Sequence, residues 1–247
     1  IMMRFFEVLR SLQAVKLSDL TIAYRWILSK VNTLAKEMTD NMEKFELGIA
    51  VSKVYDFIWE EFCDWYIEIA KVRTYKKDED ARAANSALWT LRTVLGQALK
   101  LLHPYMPFIT EEIFCSLQDE EESIMVSEWP VFEEEFDFKA EENEVEMIKN
   151  AVRNIRNLRA DMNVPPSKKA SVYVVSEKEE VRGVFEDSKV FFATLGYASE
   201  VHVQADKAGI AEDAVSTVIP DAVIYMPFAE LVDVEKEIAR LEKEAGR

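Results

Sequence analysis

A chain of 247 residues with 49% hydrophobic side chains can bury one large core or two smaller ones, and the length favours two. It contains no run of 18 or more apolar residues and no charged-then-apolar leader, so a soluble, cytoplasmic protein without a membrane span or signal peptide is expected. The net charge is −16, but Glu111 to Glu146 holds 15 acidic residues and one basic, so that segment carries −14 and everything else only −2. The flanking stretches are the opposite: residues 1–40 carry 6 Lys/Arg against 4 Asp/Glu, residues 71–110 carry 7 against 3, and residues 147–169 carry 6 against 1. An anionic partner is therefore not excluded.

In chain order, apolar residues at three- and four-residue spacing predict an opening helical segment to about Val15, then helices from Leu20 to about Met42, Leu47 to about Val72, and Arg82 to Leu102. In the third of these, Val54, Tyr55, Ile58, Phe62, Trp65, Tyr66 and Ile69 form a stripe wide enough for a central helix. Pro104 and Pro107 stop the fourth around His103, and Thr110 before Glu111 and Glu112 reads as the N-cap of a short fifth helix. Residues 1–118 are thus predicted to be a helix bundle. Residues 119–144 lose the periodicity and read as an acidic, solvated connector. A small α/β domain is expected over 145–232. It comprises a helix to about Asn163, a strand from Ser171 to Val175, helical residues Glu177 to Leu195 closed by Gly196, a parallel strand at Val201 to Gln204, and a hairpin around Pro220-Asp221. Residues 233–247 begin a charged helix. The fold class expected is mainly α, with the α/β domain second.

Little in the chain offers chemistry. His103 and His202 are the only histidines, no Gly-rich loop follows a strand, and no metal-ligand spacing or nucleophile pattern can be assembled. Cys63 and Cys115 sit in apolar helical patterns and read as buried thiols of a reducing compartment. No catalytic residue, metal or cofactor is assigned to these 247 residues.

Four stretches carry a resemblance: Tyr24-Arg25-Trp26-Ile27-Leu28-Ser29, Glu61-Phe62-Cys63-Asp64-Trp65-Tyr66-Ile67-Glu68, Leu101 through Glu112, and Ser127-Glu128-Trp129-Pro130. Together they resemble the anticodon-binding domain of class I aminoacyl-tRNA synthetases, and the second of them resembles the valine member. The ending Leu231-Val232-Asp233-Val234-Glu235-Lys236-Glu237-Ile238 is similar to the start of the coiled-coil arm that valyl enzymes carry, here cut short. The resemblance implies an anticodon-binding bundle, tRNA(Val) as partner, and a monomeric parent enzyme that joins valine to tRNA with ATP and magnesium. Its His-x-Gly-His and Lys-Met-Ser-Lys-Ser signatures are missing here, so this piece is expected to be inactive alone. An isoleucyl counterpart and a helical protein-interaction scaffold are the rival readings.

Anticodon bases are read splayed out, by stacking on aromatic or guanidinium planes and by hydrogen bonds at their edges. The resemblance places Arg4-Phe5 and Arg25-Trp26 at that task, with Arg4 and Trp26 sandwiching a base and Arg25 and Lys30 holding phosphates or a base edge. By helical patterning alone, Trp26 fits a core with Ile27, Val31 and Leu34 equally well. Lys149, Arg153 and Arg156, spaced by four and three, read as a second basic face opposite Val145, Ile148, Val152 and Ile155, suited to RNA backbone or merely solvated.

Overall fold

The computed structural model describes Leu9, residues 12–74 and residues 80–232. Most of the predicted opening helix, including Arg4 and Phe5, and the expected coiled-coil start from Asp233 lie outside them; residues 12–16 are not helical. Two compact units divide between Val145 and Glu146.

The first unit is helical: α1 (Ile22–Glu43), α2 (Leu47–Asp56), a π-helical stretch (Phe57–Tyr66), α3 (Ile67–Thr74), α4 (Ala81–Leu102) and α5 (Pro107–Leu117). Asp80 caps α4 by accepting from the Ala83 N–H at 2.9 Å, and His103 closes it before Pro104. Helix α5 starts four residues earlier than expected, with Pro107 at its first position. Thr110 is therefore inside the helix, buried, its hydroxyl donating to the Met106 carbonyl at 2.8 Å.

Helix α1 is the axis of this unit. Ala23, Tyr24, Trp26, Ile27, Leu28, Ser29, Val31, Asn32, Leu34, Ala35 and Met38 are all buried, far more of its circumference than one apolar stripe would cover. Phe57, Phe62, Trp65 and Tyr66 face the core from the π-helical stretch, with Phe62 and Tyr66 stacked at 5.8 Å. A π turn rotates the chain less per residue than an α turn, so the stripe predicted at α spacing drifts. Tyr55, expected in the core, is 59% exposed beside Trp59. Cys63 and Cys115 are half-buried rather than buried.

The acidic segment read as a solvated connector is docked on the bundle. Its turns at Ile124–Val126 and Glu134–Phe136 form a strap whose Gln118, Ile124 and Pro130 are buried. The Trp129 indole donates to the Thr39 hydroxyl at 2.9 Å. Asn32 exchanges two bonds with the Glu133 backbone, donating to its carbonyl at 2.8 Å and accepting from its N–H at 2.9 Å. The Ser29 hydroxyl accepts from the Phe138 N–H at 2.9 Å and donates to Glu142 at 2.5 Å.

Helix α6 (Lys139–Asp161) carries the chain into the second unit, which continues with β1 (Ala170–Val175), α7 (Glu179–Asp187), α8 (Lys189–Leu195), β2 (Ala198–Gln204), β3 (Val215–Ile219), β4 (Ala222–Met226) and α9 (Phe228–Leu231). The sheet order is β2-β1-β4-β3. Strands β1 and β2 are parallel, as expected of a strand-helix-strand unit, and β3 and β4 are the hairpin, turning through Asp221 at φ 63°. Gly196 closes α8 where a Cβ would stand 3.0 Å from the Phe192 carbonyl oxygen. Val172, Val174 and Ile224 on one sheet face and Phe185 and Phe192 on α7 and α8 are fully buried.

Within the strap, the Ser127 hydroxyl and then, against partial burial, Lys100 at 3.2 Å hold the Glu121 carboxyl below its ordinary range. A lowered acid stabilises the fold above its unfolded pKa of about 4.3 and loses that contribution as pH falls through the native value. Glu121→Gln is accordingly expected to melt earlier than the parent chain at pH 6, with the gap narrowing only as pH falls below about 4.3 and closing once it has passed the lower native value. A melting gap that persists unchanged into acid would mean that Glu121 holds the strap by something other than its charge.

Candidate nucleic-acid interface

The residues assigned to base reading begin on the first turns of α1, and the structure separates them. Trp26 is only 1% exposed, so it offers no open ring face to a base. This corrects the stacking assignment. The physical reason is the wide burial of α1, which leaves the Trp26 sector no solvent side; the alternative offered by helical patterning, a core Trp beside Ile27, Val31 and Leu34, is the one the structure adopts.

Arg25 is turned toward the strap. Its Nη1 donates to Glu141 at 3.0 Å, its Nη2 approaches the Leu17 carbonyl at 3.4 Å, and its guanidinium lies 5.7 Å from the centre of the Phe138 ring. With a third of its side chain exposed, Arg25 is a clamp between the start of α1 and the start of α6. Lys30 points elsewhere, 3.9 Å from Glu61 of the π-helical stretch, with 35% of its side chain exposed. Arg4 and Phe5, the other half of the expected base sandwich, lie outside the described residues.

The second basic face also needs correcting. At about 100° per residue, Lys149 and Arg156 fall only some 40° and 20° from Val145, beside the apolar stripe rather than across the helix from it. Lys149 is 2% exposed and 3.2 Å from Glu146. Arg156 is exposed, but its Nε donates to the Leu195 carbonyl at 2.8 Å. Arg153 is half exposed and 2.8 Å from the same Glu146, whose carboxyl, despite a burial that opposes it, is held low by Lys149 and Arg153. Arg159, not singled out in the sequence, is 3% exposed; it donates to the carbonyls of Pro165 and Lys168 and lies over the Tyr197 ring. Burial lowers its pKa.

A further group of cations, interleaved with Asp19 and Asp80, lies where α1 and α4 both begin. The two helices run in the same direction: Asp19 before α1 pairs with Arg82 at the start of α4 at 2.6 Å, and further along Ala35 and Lys100 line one cleft. Arg82 is 77% exposed, Lys16 is exposed, and Arg25 stands one turn into α1. Only Arg25 of these was singled out from the sequence; the pairing of Asp19 with Arg82, 63 positions apart, had no local signal. Among the described residues no group of three or more His, Cys, Asp and Glu is placed to hold a metal ion.

Cations at the end where two parallel helices start are suited to an anionic partner, and the comparisons give the chain a family. The chain belongs to the anticodon-binding domain family of tRNA ligases, whose profile matches residues 24–174. Its curated relatives include valine-tRNA ligases. It is 49% identical to that of Clostridium acetobutylicum over 94% of this chain and 26% of the relative, and 48% identical to that of Clostridium tetani over 90% and 25%. With that of Carboxydothermus hydrogenoformans the identity is 38% over 94% and 26%. The chain thus spans about a quarter of the length of the curated relatives it matches.

Replacing Trp26 by Ala is expected to cost about 3–5 kcal/mol of stability, as for a core aromatic. Urea denaturation followed by circular dichroism measures it; a variant that unfolds at the parental midpoint would return Trp26 to the interface.

Proposed function

We propose that this chain grips the anticodon arm of tRNA(Val) as the RNA-holding part of a longer valine-tRNA ligase. The observation that carries this reading is family membership over residues 24–174, supported by relatives that are valine-tRNA ligases. In that ligase the remaining three quarters of the length would supply the site for ATP, magnesium and valine, and the whole enzyme would act as a cytoplasmic monomer. No described helix is long and apolar enough to cross a membrane.

Electrostatics permit the reading in spite of the net charge. The −14 of the Glu111 to Glu146 segment is partly offset by cations that reach it from the bundle, Arg25 to Glu141, Lys100 to Glu121 and Arg92 to Glu120. At the α1 and α4 starts, Lys16 and Arg82 present charge outward, where phosphates would find it. Arg25 and Lys30 would join them by exchanging Glu141 and Glu61 for phosphate, a swap of one anion for another at sites where about a third of the cation is exposed. Arg4 and Phe5 keep, from the family resemblance, the role of meeting a base. Trp26 supports α1 from within. Arg153 and Arg156 are exposed enough to meet backbone phosphates; Lys149 is not.

Titration of the chain with tRNA(Val) and with the same transcript carrying a changed middle anticodon base tests the reading. At least about tenfold weaker binding of the changed transcript is expected, the scale of one lost stacking or base-edge contact. Equal affinities would overturn anticodon reading. A separate salt titration addresses the cations: Arg82→Glu is expected to flatten the slope of log affinity against log salt by about 0.7–0.9, one phosphate contact. An unchanged slope would remove Arg82 from the interface.

A further inference from the structure

The opposite end of the bundle, where α1 and α4 finish and α2 and α5 start, is apolar and bare. Phe45 is 87% exposed, Leu47 48%, Ile49 50%, Met106 51%, Phe108 90% and Ile109 48%. The two loops that carry them are tied together, since the Tyr105 hydroxyl donates to the Leu47 carbonyl at 3.0 Å. Scattered apolar side chains need no explanation on a protein surface, but six of them on two loops tied together do.

Phe45 is the most telling of them. It follows the α1 C-cap with φ 60°, its N–H bonded to the Met42 carbonyl at 3.0 Å and the next N–H, of Glu46, to the Asn41 carbonyl at 2.9 Å. That is the helix-ending geometry in which glycine or asparagine is unstrained and a residue with a bulky side chain is not. The phenyl ring then points into solvent, so the fold gains nothing from it. Phe108, at the second position of α5, likewise contributes almost none of its surface to the bundle.

We infer that this end is a docking surface for the part of the longer valine-tRNA ligase that the chain does not include, through an apolar face with a cationic rim. The inference rests on the proposed function, in that it takes the chain to be part of such a ligase. Two observations select the occupant. The relatives are about four times the length of the segment they share with this chain, so three quarters of such a ligase lies outside it and is available to cover the patch. The exposed neighbours of the patch are Glu43, Glu46 and Glu112 against Lys44, which repels phosphate and suits Lys and Arg side chains. The same acidic rim, on a chain of net charge −16, opposes docking of a second copy.

The test places a thiol on the patch, Phe45→Cys or Phe108→Cys, in the 247-residue chain and in the full-length ligase, and measures alkylation at that position by mass spectrometry. Both side chains are exposed, so neither change disturbs the fold, and site-resolved masses separate the signal from Cys63 and Cys115. Alkylation is expected to be fast in the chain and at least tenfold slower in the ligase, with or without tRNA. Equal rates in the two proteins overturn the inference. So does protection that appears only when tRNA(Val) is added, which would make the patch an RNA contact, or concentration-dependent dimerisation of the chain in sedimentation that Phe108→Ser abolishes. Because anticodon discrimination is read in a separate titration, its failure with patch protection intact would overturn the proposed function and leave the docking surface standing.

Discussion

Two buried polar side chains on one helix set the terms for the helical unit. Ser29 is fully buried and Asn32 nearly so, in the middle of a helix otherwise packed with apolar groups. A buried amide or hydroxyl left without partners costs about 1–3 kcal/mol, enough to matter against the whole stability of a domain. The strap answers both. Asn32 pairs with the N–H and the C=O of Glu133 as a neighbouring strand would, and Ser29 bridges the Phe138 N–H and the Glu142 carboxylate. With those bonds fixed, the indole of Trp129 reaches Thr39 and the start of α6 is brought against Arg25. The strap is thus part of the fold of the bundle.

That arrangement explains why a segment of charge −14 can exist in a protein whose family binds RNA. Much of what the strap contributes is made through backbone groups, so its side chains are released to solvent: Glu133, Glu134 and Glu135 are all exposed. The carboxylates that do turn inward meet cations from α1 and α4. Arg25 is then committed to two roles in tension. It closes the strap in the protein alone, and it is the nearest cation on α1 to the end where Lys16 and Arg82 stand. Glu141 holds it by a single 3.0 Å contact at a third-exposed site, where an ion pair is worth little net free energy.

This also marks what could be read from the sequence. The helix spans α1, α2 to α3 and α4, the helical stretch before Gly196, the parallel strand pair and the hairpin at Asp221 all followed from periodicity and turn residues, because those signals are local. The strap did not, because side-chain pattern reports solvation of side chains, and here the side chains are solvated while the backbone is docked. Tyr55 failed because the stretch after it is π-helical and 3.6-residue spacing no longer predicts its face. Lys149 failed through its angle: four residues from Val145 on a helix is a neighbour, not an opposite. Of the candidate site, the motif around Arg25 and Trp26 was recognisable, but which side of α1 each residue faces depends on how many elements surround the helix. That is a tertiary fact without a local trace.

The bundle is consequently polar along its length in a way that composition hides. Helices α1 and α4 are parallel, so their starts and their ends each share one end of the unit. At the starts stand Lys16, Arg25 and Arg82; at the ends stand Phe45 and Phe108 with glutamates around them. Each half excludes the other's partner. Phosphates gain nothing from an apolar face ringed by carboxylates, and an apolar protein surface would have to desolvate arginine and lysine to dock at the other end. A strained phenylalanine at a helix end is hard to account for in a free-standing bundle. It is readily accounted for in one whose far end is a joint, since the ring is then buried by whatever the joint holds and the strain is repaid across the interface rather than within the fold.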